Sequence, residues 1–306
     1  MDGALKRMVV TGREGQVVRS LLERGALNGL FDVVALGRPE LDLRDPERID
    51  AALRQARPDI IVSAAAYTAV DRAETDEAEA HAINAVAPGR IAAAAARLGV
   101  PVIHLSTDYV FDGEKPEPYL ETDPVGPASA YGRTKLAGER AVAEATENHV
   151  ILRTAWVYSP FGRNFLKTML QLAESRDRID VVDDQVGNPT SALDMADGIL
   201  AIACNLLDSN SASLRGLFHM TGSGSASWAN FAKEIFAASG RHGGPIAAVG
   251  QIPTAAYPTP ARRPANSRLD CGKLEQAHGV RLGDWKHATA ETVERLVKES
   301  AVGREP

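Results

Sequence analysis

The sequence predicts a doubly wound α/β fold: a parallel sheet covered by helices on both faces, followed by a smaller C-terminal α/β lobe. Three observations predict it. In the first half of the chain, short runs rich in β-branched residues alternate with stretches of helical periodicity. Those runs are apolar nearly throughout, as strands buried on both faces must be. Finally, Gly12 and Gly15 follow the first run and open the first helix, where a doubly wound sheet carries its phosphate-binding turn.

The elements follow in order. "RMVVTG" (7–12) is a strand ended by glycine, and Val17, Leu21 and Leu22 mark the helix after it. "DVVALG" (32–37) is the second strand. Asp45 followed by Pro46 is an N-cap with proline at the first helical position, and Ile49, Ala52, Leu53 and Ala56 then recur at helical spacing. Pro58 stops that helix before a third strand, "DIIVSAAA" (59–66). Residues 76–98 are alanine-rich and helical, and "VPVIHLST" (100–107) is the fourth strand. The helix containing Tyr131 leads to a fifth, "HVILRTAWVY" (149–158). The rhythm then changes. "NFLKTMLQLAE" is a helix, "IDVVDDQVGNPT" a strand running into a loop, "SALDMADGILAIACNLL" a helix and "GLFHMTG" (216–222) a further strand. The expected division is a dinucleotide-binding domain over 1–157 with a returning contribution from about 181–221, and a substrate lobe from 158–180 and 222–306. The proline-rich stretch "AAYPTPARRPANSRLD" (255–270) is flanked by helices. An irregular segment of that length inside a compact chain points to function rather than to a linker.

Composition narrows the class. The chain has 306 residues, 44% hydrophobic and 24% charged, as in an ordinary globular protein. A net charge of −6 without a basic block argues against nucleic acid as partner. No apolar run approaches the roughly 20 residues that span a bilayer. The start, "MDGALKRMVVTG", lacks the apolar core of a signal peptide. Cys204 and Cys271 lie far apart without metal-ligand spacing and read as reduced thiols. The expectation is a cytoplasmic protein with no membrane, nucleic-acid or metal partner.

Two ends of the sheet carry chemistry. At the cofactor end, the Rossmann-type turn has Val18 where a third glycine is usual, which predicts a first helix standing slightly off the sheet. The end of the second strand, where an acid would accept from the ribose of NAD(H), is Gly37 followed by Arg38. A guanidinium in place of a carboxylate favours a 2′-phosphate, hence NADPH, with NADH still usable. At the chemical end, the fourth strand finishes in Ser106, Thr107 and Asp108, and Tyr131 and Lys135 lie one helical turn apart in "SAYGRTKLAGE".

Thr107, Tyr131 and Lys135 resemble the catalytic set of the short-chain dehydrogenase/reductase superfamily. That resemblance implies that Tyr131 protonates a carbonyl oxygen as hydride reaches its carbon. To bring a phenol near neutrality, Lys135 and the nicotinamide charge would have to lower its pKa by about three units, or roughly 4 kcal/mol. The resemblance narrows further. "GREGQVV", "RPDIIVSAAAYTAVDRAE", "STDYVFDG", "YGRTKLAGE", "RTAWVY", "DDQVGNPT" and above all "YPTPARRPANSRLD" are similar to stretches of the dTDP-4-dehydrorhamnose reductases, over nearly the whole chain. That family reduces the C4 ketone of a nucleotide-linked 6-deoxy-4-keto sugar. By resemblance, Gly12, Gly15, Gln16 and Val17 touch the cofactor diphosphate, Asp42 and Leu43 flank the adenine, and Ala65, Ala66 and Tyr67 lie on the nicotinamide side. Thr68, Thr107, Asp108 and Trp156 contact the nucleotide sugar, and Arg262 and Arg263 are candidates for its diphosphate. Some members form a magnesium-bridged dimer through a glutamate early in the first helix; Ser20 stands there, so a monomer or weak homodimer without that metal is expected. Dehydratases of the superfamily carry Asp–Glu after the threonine, whereas here Tyr109 follows Asp108. Epimerases hold NAD tightly, which fits Arg38 less well. A non-catalytic relative, the β subunit of methionine adenosyltransferase, is the alternative that an intact Thr107/Tyr131/Lys135 set argues against.

Overall fold

The computed structural model describes residues 5–302, and its first half follows the predicted alternation. Strand β1 (Lys6–Thr11) leads through the glycine turn into α1 (Gln16–Asn28), then β2 (Phe31–Leu36), α2 (Pro46–Ala56) and β3 (Ile60–Ser63). A short α3 (Val70–Ala73) precedes the helix expected over 76–98. That helix is α4 (Glu77–His81), a π-helical turn at Ala82–Val86 and α5 (Ala87–Leu98). Strand β4 (Val102–Thr107), α6 (Ala130–Ala145) and β5 (His149–Thr154) complete the first half. The strand expected over 149–158 is broken: Trp156 has φ 47°, which no strand tolerates, and β6 (Val157–Tyr158) is separate.

The second half contains α7 (Phe165–Ala173), β7 (Arg178–Val182), β8 (Val186–Gly187), β9 (Thr190–Ser191), α8 (Ala192–Asp208) and β10 (Gly216–His219). It ends with β11 (Ala226–Ser227), α9 (Trp228–Arg241), β12 (Ala248–Ile252), α10 (Gly272–His278) and α11 (Trp285–Val302). Strand β10 returns to the main sheet, which has six parallel strands in the order β10–β5–β4–β3–β1–β2. In the smaller lobe β12 pairs with β7.

Both sheet faces are buried, which explains the apolar runs. Met8, Val10, Leu152 and Phe218 pack under α1 and α8, while Val9, Ile61 and Ile151 pack with Ile91 and Val142 of α5 and α6. A third core joins Leu166, Ile179, Phe231 and Val293 beneath α7, α9 and α11. Whatever Val18 does at its start, helix α1 comes close to the sheet further along. Two turns after Val18, Gly25 supplies the close approach, since a Cβ there would lie 2.3 Å from Val33 Cγ2.

Helix α6 is positioned tightly. Ser129 caps it, its side chain accepting from the Gly132 N–H at 3.1 Å. A Cβ at Gly132 would lie 2.2 Å from the Tyr109 carbonyl oxygen, and one at Gly138 2.1 Å from that of Asn84. The long irregular segment is ordered by contacts to both halves: the Ser267 N–H donates to the Val186 carbonyl at 2.7 Å and the Leu269 N–H to Asn188 Oδ1 at 2.9 Å. Asn266 donates to the Lys115 and Glu117 carbonyls, Pro264 packs on Gly113, and Arg263 pairs with Asp71 at 2.6 Å.

Gly138→Ala is expected to destabilise the protein by about 1–3 kcal/mol, because the new methyl meets fixed backbone rather than a movable side chain. Thermal or urea unfolding checks this, and an unchanged midpoint would refute the close packing of α6.

Candidate active site

The carboxyl ends of β1, β3, β4 and β5 open onto a cleft of about 800 Å³. Chain order reverses beside β1, where β2 lies on one side and β3 on the other, and such switch points are where doubly wound sheets bind ligands. Thr11 fixes the reversal: its hydroxyl accepts from the N–H groups of Ala64 and Ala65 at 3.0 and 3.1 Å.

One wall is the glycine turn. Gly12 has φ 100°, and a Cβ there would come within 3.4 Å of Ala65 Cβ and Val18 Cγ2. No side chain caps α1 at Gly15 and its first turn has no acid, so the leading N–H groups are left for an anion. This wall suits a dinucleotide diphosphate. Gln16 lines this wall, and its side chain has a further role. Its amide is engaged by Ser159 and Asn164 at 2.9 Å each and donates to the Val157 carbonyl at 3.3 Å, tying the turn to the other lobe.

The opposite wall carries the proton chemistry. Thr107 ends β4, and its hydroxyl donates to Asp108 Oδ1 at 2.9 Å. Lys135 is buried below Tyr131, and its ammonium donates to the Leu105 carbonyl at 2.6 Å. Burial lowers that ammonium to about 8, with the Glu139 carboxylate acting the other way. Glu139 in turn holds Arg153 through two bonds of 2.9 and 2.7 Å and accepts from Ser106.

The Tyr131 phenol is pushed above its ordinary range, not below it. Burial opposes the phenolate and the Asp108 carboxylate adds to that, while the Thr107 hydroxyl offsets part. Lys135 is not among the groups that act on the phenol here; its ammonium donates to the Leu105 carbonyl. A phenol that keeps its proton is the state a proton donor needs. Asp108 is raised to about 6, chiefly by burial, against which the Ser267 and Thr107 hydroxyls act. Its Oδ2 is buried with no hydrogen bond reaching it among the described residues.

Most sequence-predicted residues meet here: Gly12, Gly15, Gln16, Val17, Ala65 and Ala66 line the cofactor side of the cleft. Thr68, Thr107, Asp108, Tyr131, Lys135 and Trp156 line the rest. Trp156 stacks on Trp228 with ring centroids 3.6 Å apart, and a Cβ at Gly187 would lie 2.4 Å from its Cε2. Six predicted residues lie outside the cleft lining. Arg38 is exposed past β2, Asp42 is held by Arg44 at 2.7 Å, and Leu43 follows it. Tyr67 turns its hydroxyl to Asp76 at 3.2 Å. Arg262 pairs with Glu114 on the surface, whereas Arg263 reaches both Asp71 and the Tyr109 hydroxyl. Ser20 is fully buried.

Sequence reasoning missed Asn84. Its amide accepts from the Tyr67 N–H and donates to the Tyr67 carbonyl and the Thr134 hydroxyl, joining the 64–68 loop to α6. An asparagine inside an alanine-rich helical run was the available signal.

A family profile described as RmlD substrate binding domain matches residues 6–298. A dTDP-4-dehydrorhamnose reductase of Sinorhizobium fredii is 53% identical, over 96% of this chain and 98% of its own. The chain belongs to the dTDP-4-dehydrorhamnose reductase family. Among solved structures, a dTDP-4-dehydrorhamnose reductase of Clostridium acetobutylicum matches with a TM-score of 0.87 and 36% identity, covering 95% of this chain and 99% of that one. One from Bacillus anthracis, in complex with NADP, matches with a TM-score of 0.87 and 32% identity, covering 94% and 99%.

Burial raises Asp108 from 3.8 to about 6, so the folded state resists its ionisation. Below about pH 4 the group is protonated folded or unfolded and costs nothing. As pH rises through about 4 to 6 the unfolded state ionises first and stability is lost, by up to about 3 kcal/mol. Asp108→Asn is therefore expected to gain stability relative to wild type across that window. Urea unfolding at pH 4 and pH 7 (chosen as roughly the two ends of the titration) tests this, and parallel changes in both proteins would exclude it.

Proposed function

We propose that the protein reduces the C4 ketone of dTDP-6-deoxy-L-lyxo-4-hexulose to dTDP-L-rhamnose, using NADPH. The observation that carries this reading is the convergence of Thr107, Tyr131 and Lys135 beside an uncapped glycine turn in one cleft of a chain of this family. The main sheet with α8 and β10 holds the dinucleotide, and the smaller lobe with the 255–270 segment holds the nucleotide sugar. When bound, the nicotinamide supplies the hydride that adds to C4. Tyr131 at the start of α6, and Thr107 at the end of β4 once its hydroxyl turns from Asp108, donate hydrogen bonds to the ketone oxygen. Tyr131 gives its phenolic proton to that oxygen, leaving a secondary alcohol, and is reprotonated from solvent. Lys135 has one of its three ammonium protons on the Leu105 carbonyl, which leaves two for the cofactor and the phenol side of the cleft. Trp156 forms a wall for the sugar, and Arg263 exchanges Asp71 for the substrate diphosphate. An intact proton-donor set gives a purely regulatory subunit no support. The protein works in the cytoplasm; among the described residues no helix is long and apolar enough to cross a membrane.

The direct test follows NADPH oxidation by purified protein with the dTDP-linked keto sugar. Tyr131→Phe is expected to lower kcat by about 10²–10⁴-fold while NADPH affinity stays unchanged. Wild-type turnover in that variant would remove Tyr131 from the role. Lys135 is charged below about 8 and neutral above it, so kcat/KM should fall as pH rises through that value. Lys135→Met should have low activity and lack that basic limb.

A further inference from the structure

We propose that Arg13 reads the 2′-phosphate of NADPH, with Arg38 secondary; this rests on the NADPH reading above. Strands β1 and β2 run in parallel register up to Thr11 and Leu36, and the Gly12 N–H donates to the Leu36 carbonyl at 2.6 Å. The turn after β1 is thereby pressed against the end of β2, where doubly wound sheets hold the adenosine ribose.

The place of the usual acid is Gly37, and Arg13 fills it. A Cβ at 37 would lie 2.9 Å from Arg13 Cγ and 3.4 Å from its Cδ. The methylene stem of Arg13 thus covers the glycine, and the guanidinium beyond it is held by an ion pair between Nη2 and Glu40. Glu40 takes only Nη2, and no hydrogen bond engages Nε or Nη1 among the described residues. The two side chains are 44% and 53% exposed, so a phosphate can reach the free donors. With one of the five N–H donors on Glu40, one edge of the guanidinium keeps two N–H groups that point the same way, and such an edge suits a phosphate bidentately.

Arg38 is placed less well. It is exposed past Gly37, and its charge bears on the Asp42 carboxylate, which already holds Arg44. The two functions of the position are also mutually exclusive. A carboxylate at residue 37, suited to the ribose hydroxyls of NADH, would have to push the Arg13 stem aside.

The test is titration calorimetry of NADPH and NADH into wild type, Arg13→Ala and Arg38→Ala. Arg13→Ala is expected to weaken NADPH by about 10- to 100-fold, the worth of a charged hydrogen-bond pair, with NADH within about threefold of wild type. Arg38→Ala is expected to lose less. Retained NADPH affinity in Arg13→Ala, equal losses for both cofactors, or a larger loss in Arg38→Ala would each overturn the assignment. Wild type binding NADPH and NADH equally would also overturn it while leaving the reductase reading intact. Failure of wild type to bind either would instead remove the cofactor reading, and this inference with it.

Discussion

The chemical end of this protein depends on a buried ammonium. A parallel sheet covered on both faces leaves no water beneath its carboxyl edge, yet α6 drives Lys135 into that space. An unpaired charge there would be prohibitive, so the surroundings are polar by necessity. The Leu105 carbonyl takes one proton, and one turn further along α6 the Glu139 carboxylate supplies negative charge. Glu139 is itself buried and needs Arg153 and Ser106. The same layer holds His104, bonded to Ser63, and His219, bonded to the Asp270 carbonyl, and burial keeps both neutral. Polar residues thus interrupt otherwise apolar strands on the face that meets α6.

Geometry follows from that constraint. The ammonium reaches its partners only if α6 lies very close to the segments around it, and glycine at 132 and 138 permits this. Asn84 then locks the 64–68 loop to α6, so both walls of the cleft are referred to one helix. The glycine turn is referred in the same way to the smaller lobe by Gln16. The 255–270 segment closes the circuit, running from the smaller lobe past Gly113 to Asp71.

Much of this was legible in the sequence, for physical reasons that differ by region. Sheet strands covered by helices carry long apolar, β-branched runs broken only by single polar residues, so β1, β2, β4 and β5 were readable. Turn chemistry at Gly12 and capping at Asp45 are local, and so were readable too. What escaped depends on distant pairings. The break at Trp156 arises from packing against Trp228 and Gly187, far along the chain. The tuck of α1 at Gly25 depends on Val33 in the next strand, and the direction of the Tyr131 shift depends on burial that no spacing encodes. The polar role of Gln16 likewise exists only because residues 159 and 164 fold back onto it.

Trp156 has one more consequence. It combines a left-handed backbone, an indole stacked on Trp228, and a glycine that leaves the ring its room. A side chain at 187 would evict the ring, and a smaller residue at 156 would leave a void against 228. Neither position can drift alone. The three sites form an epistatic unit that natural variation can cross only by a concerted change, so this wall of the cleft should diverge in jumps rather than by gradual substitution.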